Sequence, residues 1–66
     1  FAGSDGLDVY RRLLQQARPL LGEGSWLLVE LDPRNVRLAA ELAGEWAEKR
    51  VEADLAGRER FLLLRA

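Results

Sequence analysis

The chain contains no cysteine, no histidine and no methionine. Without cysteine there are no disulfide staples, and without cysteine or histidine the usual zinc ligands are missing, so no metal site is expected. The same absences leave the hydroxyls of Ser4, Tyr10 and Ser25 with no evident base to activate them as nucleophiles. No apolar run exceeds four residues, too short for a membrane-spanning helix. Charge of one sign is lacking too. Ten basic residues stand against eleven acidic ones, a net charge of -1, which favours neither nucleic acid nor an acidic-tail role. Low-complexity tracts, internal repeats, linkers and a signal-peptide pattern are all missing. A cysteine-free composition fits the cytoplasm. At 66 residues the chain holds one domain at most. A core of that size is marginal unless an oligomer, an unusually efficient packing or a larger parent protein supports it.

What is present points to the last of these. Phe61, Leu62, Leu63 and Leu64 follow one another without a polar break near the end of the chain. A strand that wets one face alternates polar with apolar residues, whereas one that is apolar at consecutive positions expects cover on both faces. A chain this short can scarcely supply both covers. With Phe1 in place of a methionine, the sequence reads as a piece of a larger protein.

The elements follow from local signals. Ser4 or Asp5, in the turn Gly3-Ser4-Asp5-Gly6, can cap a helix starting near Leu7. Val9, Tyr10, Leu13, Leu14 and Ala17 recur at helical spacing, and Leu20 and Leu21 are expected to pack as well. Pro19 should kink or loosen this helix, because it cannot donate to the carbonyl four residues back and clashes with it. Gly22, Glu23 and Gly24 end the element. Residues 26–31, nearly all apolar, read as a buried strand. Asp32 and Pro33 then read as cap and first residue of a second helix. That helix carries Val36, Leu38, Ala39, Leu42, Ala43 and Trp46 and finishes on Glu48, Lys49 and Arg50, the cations suiting its negative end. Residues 51–54 and 59–65 read as strands joined by a hairpin in which Gly57 is free to take positive φ. The order is helix, strand, helix, strand, strand, an α/β pattern that lacks the strand a βα unit places before its first helix.

Three local patterns carry a resemblance. Gly3-Ser4-Asp5-Gly6-Leu7-Asp8-Val9-Tyr10 resembles the Gly-Gly-x-Asp-Gly-Leu-x-x-Tyr segment of the HemK-type release factor glutamine methyltransferases. Leu27-Leu28-Val29-Glu30-Leu31 resembles that family's Leu-Leu-x-Glu-Ile strand, and residues 54–60 its closing Asp-Leu-x-Gly-x-x-Arg hairpin. Two positions depart: Asp32 stands where the family usually has glycine, and Asn35 where it has glutamine. The resemblance implies the C-terminal third of a Rossmann-like, class I methyltransferase domain, whose last strand runs antiparallel between two parallel ones. On that template residues 61–65 lie between residues 26–31 and 51–54, and both helices cover one face. It also implies transfer of a methyl group from S-adenosylmethionine to a glutamine side-chain amide of a release factor. The family's Asn-Pro-Pro-Tyr motif, glycine-rich turn and ribose-binding acid are not in these residues. No catalytic or cofactor-binding residue is therefore carried over. The chain alone is expected to neither bind the cofactor nor turn over, and to need the rest of the domain as its partner.

The best candidate for a functional residue is Glu30, a carboxylate at the carboxyl end of a buried strand, the edge where open α/β sheets bind ligands. A strand-end acid facing water is the plainer reading. Asp5 and Gly6 could line the substrate side of the cleft, or serve only as a capping turn. Asp32 reads as a helix cap. Arg58 and Arg60 suit a phosphate or acidic partner, but Asp54 and Glu59 beside them favour charge pairing within the hairpin. Trp26 and Trp46 are expected in the core. Two rivals to a fragment with a structural role in a protein methyltransferase stay open. One is a small interaction module that dimerises through an uncovered sheet face. The other is a methyltransferase acting on nucleic acid bases.

Overall fold

The structure, a computed structural model, describes residues 7–66. The expected turn at Gly3, Ser4, Asp5 and Gly6 lies outside the described residues. The first helix, α1 (Leu7–Ala17), buries Leu7 and Tyr10 and packs Leu14 against the core. The buried stripe thus runs through positions 7, 10 and 14. Val9 and Leu13, expected on it, are turned to the exposed side. At Pro19 the α-helix gives way to a single 3-10 turn, Arg18–Leu20, as a residue without an N–H requires. Leu20 is exposed at the end of that turn, against the expectation that it packs.

Strand β1 (Trp26–Glu30) leads into residues 32–35, which form a turn rather than the start of a helix. The Asn35 N–H donates to the Asp32 carbonyl at 2.8 Å, and α2 begins only at Val36 (Val36–Leu42). Asp32 and Pro33 therefore start a turn, and Asn35 is the residue that flanks the helix. The far end is shorter than expected as well. Gly44 takes φ of 78°, a left-handed conformation that terminates a helix at little steric cost for glycine. Trp46 folds back over this end, its indole N–H donating to the Ala43 carbonyl at 3.0 Å. Glu48, Lys49 and Arg50 do not finish the helix; they open strand β2 (Glu48–Ala53). Their pairing with Arg65, Leu64 and Leu63 of β3 (Glu59–Arg65) outweighs the modest gain of cations at a helix terminus.

The sheet order is β1-β3-β2, with β3 antiparallel to both neighbours. The last strand lies in the middle, as the resemblance implied, and β1 and β2 run the same way. The hairpin joining β2 to β3 closes through Asp54 N–H to Arg58 O and Gly57 N–H to Asp54 O, both at 2.9 Å, with Gly57 at φ of 84°. The register shifts by one residue beside Ala53.

Both helices pack on one face of this sheet. Val29 of β1 and Leu62 and Leu64 of β3 meet Leu7 and Tyr10 of α1 and Ala39 of α2, with Ala43 just past the end of α2, and Leu27, Leu31, Trp46 and Val51 close the margins. Leu7, Val36, Ala39, Leu62 and Leu64 are fully buried. Each buried leucine contributes about 2 kcal/mol by the apolar area removed from water. The Tyr10 hydroxyl donates to the Ala39 carbonyl at 2.6 Å inside the core, tying the two helices together. Burial pushes the Tyr10 phenol up to about 12, because the phenolate would lose its water.

Candidate functional site

Because β1 and β2 are parallel, their carboxyl ends share one edge of the sheet. The turn at 32–35, the start of α2 and the hairpin at 54–58 gather there, at the edge where open α/β sheets bind ligands. Three acidic side chains hold this edge in shape. One Asp32 oxygen accepts the Arg34 backbone N–H at 2.9 Å and Arg34 Nε at 3.0 Å, and the other accepts Arg34 Nη2 at 3.1 Å. The Arg34 side chain, then its backbone N–H, hold the Asp32 carboxyl down at about 2. Asp54 Oδ1 accepts the N–H groups of Ala56 and Arg58 at 2.9 and 3.0 Å, while Oδ2 meets Arg60 Nε at 3.1 Å and Arg58 Nε at 3.6 Å. The Arg58 N–H first, with the Arg60 side chain and the Ala56 N–H, lowers the Asp54 carboxyl below the usual carboxylate range. The pairing of Arg58 and Arg60 with Asp54 is the one the hairpin sequence suggested.

Glu59 does something else. It reaches out of the hairpin to Arg37 on α2, Arg37 Nε to Oε1 at 2.9 Å and Nη2 to Oε2 at 2.5 Å. This fork lowers the Glu59 carboxyl and raises the Arg37 guanidinium. It braces the last helix against the middle strand. Residues so far apart in the chain gave no sequence signal of the pair. The Arg34–Asp32 and Arg37–Glu59 pairs are exposed, so each contributes geometry more than stability.

Glu30 sits at this same edge, at the end of β1 opposite Phe61. Its side chain is exposed, on the face away from the helices, and it makes no ion pair with any described residue. Asp5 and Gly6 lie outside the described residues. The structure thus places one of the three cleft candidates at the expected edge and does not bring it together with Asp32 or Asp54.

The two tryptophans separate. Trp46 packs on the core, with the Arg18 guanidinium 4.4 Å above its ring. Trp26, expected inside, is 43% exposed on the face away from α1 and α2. There the strands pair in three rows: Trp26–Arg65–Glu48, Leu28–Leu63–Arg50 and Glu30–Phe61–Glu52. The face grades from apolar on β1 to charged on β2. Arg50 bridges Glu48 and Glu52 at 3.8 and 3.2 Å, and Arg65 reaches Glu48 at 3.4 Å and lies 5.8 Å above Trp26. Leu28 is 62% exposed in the middle of β1. The alternation of Glu48, Arg50 and Glu52 about Val51 is the signal that could have found β2's full length.

No described helix is long and apolar enough to cross a membrane. The chain is 52% identical over 66 residues to the release factor glutamine methyltransferase of Deinococcus radiodurans, an alignment that covers 98% of this chain and 24% of that protein. It is 41% identical over 64 residues to the release factor glutamine methyltransferase of Thermosynechococcus vestitus, covering 92% of this chain and 22% of that protein. The match falls on a C-terminal part of these proteins, and the chain spans about a quarter of the length of the curated relatives it matches. No family model and no solved structure matches.

Proposed function

We propose that this chain, which belongs with the release factor glutamine methyltransferases through a C-terminal part of their length, completes the sheet and one wall of the substrate cleft of an S-adenosylmethionine-dependent protein methyltransferase. The methyl acceptor is the side-chain amide of a glutamine in a peptide chain release factor. The cofactor and the reacting groups belong to the rest of that domain, and these residues alone have no activity.

One observation carries this reading: the two edges of the sheet differ in chemistry. β2 ends the sheet with Glu48, Lys49, Arg50 and Glu52, the charged trim that blunts an edge against further pairing. β1 ends it with Trp26, Leu27, Leu28 and Val29, and its one charged residue, Glu30, stands at the far end of the strand. A sheet so trimmed extends on the β1 side only. The inserted antiparallel β3 and the gathering of loops at the carboxyl ends of β1 and β2 agree with a wall at that edge.

The test is label transfer from S-adenosylmethionine to an unmethylated release factor by the full-length protein that carries this part. Transfer to a glutamine supports the reading, and transfer to a nucleic acid base, or to nothing, removes it. A second reading, a non-enzymatic module that dimerises through its open sheet face, is favoured by the exposure of Trp26 and Leu28. Sedimentation of the 66-residue chain separates the two. A tight, finite dimer without cofactor binding supports the module.

A further inference from the structure

The hairpin between β2 and β3 holds an unusual combination. Leu55 at its tip is fully exposed. The turn that presents it is held from one side by a single carboxylate: Asp54 accepts the Ala56 and Arg58 N–H groups and pairs with the Arg58 and Arg60 guanidinium groups. Two backbone bonds within the turn, Gly57 N–H to Asp54 O and Asp54 N–H to Arg58 O, close it from the other side. An exposed leucine on a loose loop loses rotamer and backbone freedom when it is buried against a partner. On a turn already fixed, most of that loss has been met in folding, so the side chain is pre-organised for contact. Leu20, also strongly exposed, is the last residue of the 3-10 turn, which has no side-chain cap hydrogen bond to fix it.

The position matters as much as the rigidity. The tip projects from the edge shared by the carboxyl ends of β1 and β2, beside the Asp32–Arg34 turn, where the Leu31 N–H donates to the Arg60 carbonyl at 2.8 Å. The relatives are named for a protein substrate rather than a small molecule. A protein substrate touches an enzyme beyond the reacting side chain, and a fixed apolar tip on the rim of the cleft is suited to such a remote contact.

We infer that Leu55 is a recognition contact for the folded protein substrate, seated against an apolar depression on that protein and held in position by Asp54. This inference rests on the proposed function. Leu55 touches no reacting atom in this scheme; it sets substrate affinity.

The experiment uses the full-length enzyme with Leu55→Asp and, separately, Asp54→Ala, assayed on folded unmethylated release factor, with affinity for S-adenosylmethionine measured in parallel. The expected result for Leu55→Asp is a KM for the protein substrate raised about tenfold, with kcat and cofactor affinity unchanged. Asp54→Ala, which frees the tip without removing the leucine, raises KM by a smaller factor. An unchanged KM for Leu55→Asp overturns the inference. A parallel loss of cofactor affinity also overturns it, since the tip would then be supporting the fold. Failure of the unaltered enzyme to methylate the release factor defeats the functional reading itself and this inference with it, and is seen before any variant is made.

Discussion

The two faces of the sheet are built from the same three strands and differ in almost everything else. On the helix side, Val29, Leu62 and Leu64 are buried under Leu7, Tyr10 and Ala39, and the Tyr10 hydroxyl is satisfied there by the Ala39 carbonyl. On the other side, Trp26, Leu28, Phe61 and Leu63 form a strip that fades into the charges of Glu48, Arg50 and Glu52. Leu62 and Leu63 are chemically identical neighbours, yet one is fully buried and the other only partly. The difference teaches that the apolar run at the end of the chain records two separate demands. One is met by the chain's own helices. The other falls on the face that α1 and α2 do not cover.

The largest expected effect comes from breaking the sealed face. Leu62→Ala leaves a cavity under α1 and α2, and costs about 2–5 kcal/mol of unfolding free energy. Leu28→Ala, in the centre of the open face, costs less than about 1 kcal/mol in the 66-residue chain, because the side chain is 62% exposed there. In the full-length protein the same Leu28→Ala change rises toward the Leu62 value if other residues cover the strip. Urea unfolding of both variants in both lengths measures the contrast. Equal costs for Leu28→Ala in the two lengths would mean that the open face stays open, and the comparison between the faces would lose its basis.

A smaller effect tests how the sealed face is terminated, and it bears on what the sequence made legible. The order of elements, the hairpin and the break at Pro19 could be read directly, because proline and glycine act through local backbone geometry. The ends of α2 could not. Asp32-Pro33 has the form of a helix start, and Lys49-Arg50 suits a helix end, so both local signals favoured a helix longer than Val36–Leu42. Long-range pairing of β2 with β3 took residues 48–50 into the sheet, and Gly44 made the exit cheap. Trp26 was misplaced for a related reason: an apolar strand gives no clue to which of its faces the helices will cover. Among the cleft candidates, Glu30 could be located at the carboxyl edge of the sheet by its position at a strand end, but its face depended on the register. Gly44→Ala checks the exit. The added Cβ meets nothing within 4 Å, so its cost is purely that of a left-handed backbone, about 1–2 kcal/mol. A value near zero would mean that Gly44 does not set the end of α2.

The smallest effects separate the two regions by pH. At the loop edge, Asp32, Asp54 and Glu59 all have carboxyl groups held below their ordinary range by guanidinium and N–H donors. For an acid depressed in the folded state, the stabilisation is present above the unfolded value near 4 and is lost as pH falls toward the folded one, here about 2 for Asp32. Asp32 and Glu59 are largely exposed and only Asp54 is half-buried, so the acid limb is shallow. On the sealed face the sign reverses. Tyr10 is favoured as the neutral phenol, with its folded value about 12. Its contribution is complete below pH about 10 and declines between about 10 and 12, as the unfolded chain ionises first. Tyr10→Phe removes the hydrogen bond to Ala39 and costs about 1 kcal/mol at neutral pH. The cost stays moderate because the Ala39 carbonyl still accepts the Ala43 N–H at 3.0 Å. In urea titrations across pH, Tyr10→Phe flattens the alkaline limb and leaves the acid limb alone, while Asp32→Asn does the reverse. If Tyr10→Phe left the alkaline limb as steep as in the parent chain, the phenol would not be sealed between the helices. The contrast between a closed face and an open, charge-trimmed edge would then fail at its most buried polar group.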